Sequence, residues 1–273
     1  MKAVNIPEIG IDATTLSAVA ATDRHPTKTS ERFGFVPTTQ MIEALRDAGM
    51  VPVSARQANT RIEENQGYQK HIVVFRFAET VVRNLNVNEE IPQLMLVNSH
   101  LGSASFQLLL SMWRCVCSNQ LVVKSSALAD IRIGHNIRAP ELAAASVKDV
   151  IEVLPRVTEN VQRFKAIELN TAERRAYVES ALPLRFDAES TEVAIDDVLR
   201  PRRQADAAPT LWNTFNVVQE KFIRGGLRTT TTDENGRMRR GTARAVKSLN
   251  TDLKLNTALW TLTERMAEIK SAN

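Results

Sequence analysis

Between Lys70 and Cys117 the chain carries three runs dense in apolar residues, Lys70–Phe77, Gln93–Asn98 and Phe106–Cys117. Each is far shorter than the ~20 residues a membrane span needs, so the expectation is a soluble chain that buries them in a layered core. The first two read as strands. Alternation sets Lys70, Ile72, Val74 and Arg76 on one face and His71, Val73, Phe75 and Phe77 on the other. The third reads as a helix. Phe106, Leu109, Leu110, Trp113 and Cys117 fall on one helical face, and Leu108, Met112 and Cys115 widen it, so this helix is expected at the centre of the core.

The flanking segments fill in a fold class. Arg32–Val36, Val51–Ala55, Leu121–Val123 and Ile131–Ile133 are strand candidates. Thr38 is placed to cap a helix through Met41, Ile42, Leu45 and Ala48, stopped by Gly49. From Pro140 the chain turns helical, with Val147 to Ile167 as one long amphipathic series kinked at Pro155. A helix over Leu211–Ile223 should stop at Gly225-Gly226, residues 227–240 should be a mobile loop, and two short helices should follow around 241–252 and 256–270. The expected class is α+β: a mostly antiparallel sheet with a central buried helix, then a largely helical C-terminal part. The expected organisation is an N-terminal arm over 1–30, a sheet domain over 31–139 and a mainly helical region over 140–273.

Charge is local rather than global. The net charge is only +4, yet residues 221–247 hold eight basic side chains against Asp233 and Glu234. The reverse holds from Asp187 to Asp197, where five acids meet no base. Basic side chains release phosphate counterions on binding a polynucleotide, so Arg224, Arg228, Arg237, Arg239, Arg240 and Arg244 are candidate nucleic-acid contacts. Lys70, Arg76, Arg114, Lys124, Arg132 and Arg138 form a second candidate set spread over the sheet domain. Between strand and expected helix, Asn98, His100 and Ser103 could line an anion site at the helix N-terminus. Trp212, Phe215 and Trp260 sit at core spacing and are expected to pack.

Catalytic and metal chemistry leave no mark. There is no phosphate-binding glycine loop, no Gly-x-Ser-x-Gly elbow and no dense carboxylate set. Cys115 and Cys117 lack zinc-site spacing, even with His71, His100 and His135 in the chain, and a disulfide two residues long would be strained. No metal or cofactor is expected, and the thiols read as reduced, as in a cytoplasm. The first eight residues lack the apolar stretch of a secretory leader.

Several blocks carry a resemblance. Asn98-Ser99-His100-Leu101-Gly102-Ser103-Ala104, Trp113-Arg114-Cys115-Val116-Cys117-Ser118-Asn119, Leu211–Glu220 with Ile223-Arg224-Gly225-Gly226, and Leu255–Trp260 occur in an order that resembles a family of phage- and plasmid-encoded proteins of unknown function. The likeness spans roughly residues 30–268. Leu101 departs from it where an acidic residue is common, and Gln120 where glycine is common. The resemblance implies a mobile-element protein in a bacterial cytoplasm.

Two functions follow as expectations. One is a DNA-binding protein of a phage or plasmid, binding or annealing single-stranded DNA in recombination or replication and acting as a homo-oligomer. The other is an anti-defence protein that inhibits a host immune or restriction system, with the acidic stretch at 187–197 as its docking strip.

Overall fold

The computed structural model describes residues 10–82, 89–114, 117–122 and 131–272. They fall into two compact units. One is built from residues up to 115 with 126–157, the other from 116–125 with 158–273.

The first unit is an antiparallel sheet with helices on one face. Its strands are β1 (Met50–Gln57), β2 (His71–Phe77), β3 (Glu90–Asn98), β4 (Phe106–Arg114) and β6 (Ile131–Ile133), paired in that order. Helices α1 (Thr38–Asp47) and α3 (Ala139–Val153) lie against it, and the short α2 (Ala78–Val82) follows β2. Register puts His71, Val73 and Phe75 beside Asn98, Leu96 and Leu94, and those last two beside Leu108 and Leu110. This is the helix-covered face, because Thr38 of α1 bonds to both His71 and Asn98. Met41, Ile42 and Leu45 of α1, with Ala143, Val147 and Val150 of α3, are buried, as an amphipathic stripe requires.

The expected helix over Phe106–Cys117 is replaced by strand through Arg114. Ile72, Val74, Met95, Val97 and Leu109, on the opposite face of the sheet, are as buried as the residues under the helices. A strand covered on both sides reads as an unbroken apolar run, which helical spacing also fits. The α+β class with an antiparallel sheet and a helical C-terminal part stands; its central helix does not. Arg32–Val36 forms no strand either. Residues 10–30 are irregular but packed down: Ile11 N–H donates to the Pro52 carbonyl at 2.8 Å, Ala18 N–H to Gln57 Oε1 at 3.1 Å, and Ala13, Ala18 and Val19 are buried.

The second unit is mainly helical. It holds strand β5 (Cys117–Val122), most of α4 (Pro155–Ala166), then α5 (Thr171–Ala181), α6 (Ile195–Leu199), α7 (Leu211–Arg224) and α8 (Leu249–Ala272). Pro155 starts α4 after the break at Leu154, as expected. Trp212, Phe215, Trp260 and Phe164 meet edge-to-face or tilted at 5.2–6.5 Å, with Trp212 and Phe215 stacked at 5.5 Å, and form its core. The two short helices expected near the end are one 24-residue helix. Asn256 does not break it, because its amide donates back to Asp252 while its oxygen accepts from Gln219 of α7 at 2.8 Å.

The expected mobile loop is also structured. Strands β8 (Arg228–Thr232) and β9 (Met238–Thr242) form a hairpin, joined on the β8 side by the two-residue β7 (Thr191–Glu192). Four successive threonines favour extended backbone. The connection closes through Gly236 at φ 74, with Gly236 N–H donating to the Asp233 carbonyl at 2.8 Å. Gly225 caps α7 at φ 72, ψ −153, and a Cβ there would stand 2.4 Å from the Ala243 oxygen, so only glycine fits.

Candidate nucleic-acid interface

The β8–β9 hairpin brings together Arg228, Arg237, Arg239 and Arg240, all exposed, as is every residue of β9. Register sorts them by face. Arg228 and Thr242 pair, as do Thr230 and Arg240 and then Thr232 and Met238, so these share one face. Arg239 pairs with Thr231 and points to the other. The acids sit at the turn. Asp233 accepts from the Asn235 and Arg237 amides at 3.0 and 2.9 Å and lies 4.0 Å from Arg239 Nη2, so its charge is largely spent on the loop. The result is a narrow cationic ribbon.

Below the hairpin the arginines do structural work. Glu220, 5% exposed, takes two hydrogen bonds from Arg203 at 2.7 and 3.0 Å, with Arg224 at 3.3 Å and Arg202 at 3.8 Å. Arg203 also reaches Asp206 at 3.1 Å, and Arg202 donates to the Gly225 carbonyl at 2.9 Å. Arg224, a sequence-derived contact candidate, therefore belongs to an ion network that closes the end of α7. Burial holds the Lys221 ammonium below its ordinary range, and the cations of Arg202 and Arg200 push the same way. Arg244 is exposed, with its carbonyl taken by Arg185 Nη2 at 2.8 Å. Arg202 and Arg203 were missed by sequence reasoning, since only the tertiary fold sets them on Glu220.

The sheet unit presents only part of the second candidate set: Arg132 and Arg138 are exposed, with Arg132 Nε donating to Ser105 Oγ at 2.9 Å. Lys70 and Arg76 are half-buried, and Arg76 Nε donates to Gln93 Oε1 at 3.1 Å, on a sheet face whose apolar residues are buried rather than open to a ligand. Arg114 lies in β4, its side chain beyond the described positions; Lys124 and Cys115 lie outside the described residues. The Asn98–Ser103 anion site is also corrected. A strand follows this turn, so the expected helix does not begin there. Asn98 and His100 are fully buried, and exposed Ser103 bonds Ser99, Oγ to Oγ at 2.8 Å.

What Asn98 and the histidines build is a buried polar network. Asn98 donates to the Val36 carbonyl at 2.9 Å and to Thr38 Oγ1 at 3.0 Å. Thr38 hydroxyl donates to His71 Nε2 at 2.8 Å, while His71 Nδ1–H donates to the Gln69 carbonyl at 2.9 Å, which fixes a neutral tautomer. His100 lies between Phe35 and His71 with ring centroids 4.7 and 5.0 Å away. Neither of its ring nitrogens has a hydrogen-bond partner among the described residues, although the nearby Ala18 carbonyl slightly favours its charged form. Among the described residues no three His, Cys, Asp or Glu side chains are grouped to hold a metal.

Burial lowers His71 to about 4 and, with the neighbouring imidazoles, His100 to about 3. The unfolded chain takes up these protons near pH ~6.5, where the folded chain does not. Stability from this source is therefore complete above that pH and is lost as pH falls through about 4 and then about 3. Urea midpoints should drop steadily between neutral pH and pH ~4, and the drop should be shallower in His100→Phe. Equal slopes in parent and variant would remove His100 from the account.

No helix among the described residues is long and apolar enough to cross a membrane. Residues 27–260 match the model of a family described as a domain of unknown function, DUF932. Two relatives from Escherichia coli (strain K12), UPF0380 protein YfjQ and UPF0380 protein YafZ, are 30% and 29% identical over 249 residues, which covers 91% of this chain and 87% of each relative. No solved structure matches. With the family model covering most of its length, the chain belongs to the DUF932 family.

Proposed function

We propose that the chain is a nucleic-acid-binding protein of a phage or plasmid, acting inside a bacterial cell on DNA, with single strands as the substrate of an annealing or replication role. The observation that carries this reading is the hairpin. Arg228, Arg239 and Arg240 stand exposed on two short strands, Arg237 stands exposed in the turn between them, and Asp233 is tied up in that turn. A two-stranded ribbon is narrow enough to follow a phosphate backbone or to enter a major groove. The acidic stretch that a host-directed inhibitor would use is partly committed internally. Asp196 pairs with Arg175 at 2.6 Å, and Asp187 accepts from Glu189 N–H and Ser190 Oγ.

Fluorescence anisotropy with labelled single- and double-stranded oligonucleotides over a salt series tests the reading. The expected result is binding whose log affinity falls linearly with log salt. Absence of salt-sensitive binding at low ionic strength rejects it.

A further inference from the structure

A cleft of about 700 Å³ opens in the second unit beside one face of the β7–β8–β9 sheet. Leu182 and Phe186 give it apolar wall, and Glu179, Glu192 and Asp197 supply three carboxylates against the single cation Arg228. Its surplus negative charge disfavours a phosphate and suits a cationic group carried on an apolar stem.

That chemistry stands on the same sheet face. Glu192 pairs with Thr230, and Thr230 with Arg240, so Glu192, Arg240 and, two residues along, Met238 share the face that borders the cleft. Met238 is 66% exposed, an apolar side chain between two arginines with no core to fill. Two strand spacings, roughly 9–10 Å, separate Arg240 from Glu192 within one chain, and among the described residues no ion pair joins them. A face that carries both an acidic apolar hollow and a basic apolar knob is complementary to itself under a two-fold axis.

We propose that two copies of the chain associate through this face, each placing Met238 against Phe186 and Leu182 of the other and Arg240 on the other's Glu192 and Asp197. The sulfur of Met238 gains an aromatic contact, and Arg240 gains carboxylates that its own chain does not offer it. Arg239, on the opposite face, and Arg237, at the turn, stay clear of the contact. The proposal does not rest on the polynucleotide reading.

Light scattering on the nuclease-treated full chain at low salt tests it without any polynucleotide present. The expected mass is twice the 30.4 kDa of one chain. Arg240→Glu and Glu192→Arg, both at exposed positions, should each run as single chains with unchanged circular dichroism. Mixed in equal amounts they should recover the two-chain mass, because each reversed charge then meets its opposite. Met238→Ser should weaken self-association about tenfold. A parent that stays a single chain at every concentration, a charge variant that keeps the parent mass, or a mixture that stays monomeric overturns the proposal.

Discussion

Replacing Arg237, Arg239 and Arg240 together with alanine should abolish retention on DNA and heparin columns while leaving the fold intact. All three are exposed, and none supports the core, so stability should move by no more than ~0.5 kcal/mol. With Arg237 and Arg239 each neutralising one phosphate and Arg240 engaged in the two-chain contact, the salt slope for single strands should fall by about 1.4, at ~0.7 per contact. At fixed moderate salt, affinity should drop about thirtyfold, from roughly 1 kcal/mol for each of the two lost phosphate contacts. A variant that elutes with the parent removes the hairpin from the binding surface, and the proposed function with it.

Glu220→Ala should destabilise the second unit by about 3 kcal/mol. The carboxylate is 5% exposed and holds Arg203 through two bonds, with Arg224 and Arg202 drawn to the same oxygen. Removing it leaves three guanidiniums close together without the carboxylate they share, and leaves Arg203 only Asp206 of the two acids it bonds. These arginines are 23–35% exposed, so water screens part of the repulsion, and the value sits at the low end for a broken buried pair. Glu220→Gln keeps an acceptor for Arg203 and should cost less. Urea unfolding of the two variants measures the difference; a loss under ~0.5 kcal/mol for alanine would class the network with ordinary surface pairs.

The legible parts of the fold were those with one wet and one dry face, or with a hard stop. The stripe Met41, Ile42, Leu45 and the stop at Gly49 gave α1, and Gly225-Gly226 bounded α7. Strand β4 was misread because burial on both faces erases the alternation that tells strand from helix. The hairpin was misread for the opposite reason. Its threonines and arginines carry no apolar alternation, although the β-branched run and the Asn235-Gly236 pair were a turn signal open to reading. Of the candidate site, Arg237, Arg239 and Arg240 were legible as a charge run. The engagement of Arg224 by Glu220 and the burial of Asn98 and His100 depend on segments distant in the chain, which periodicity cannot report.

The Gly225–Gly226 junction has a mechanical consequence. Gly226 N–H donates to the Ala243 carbonyl, and Ala243 N–H to the Leu227 carbonyl, both at 2.8 Å, so the ladder of the hairpin runs down to two residues past the end of a helix whose body is buried. The arginines thus ride on a stiff lever rooted in the core rather than on a tether. Little freedom remains to be lost when they meet a ligand, so engagement should begin at the speed of encounter, with no folding step before it.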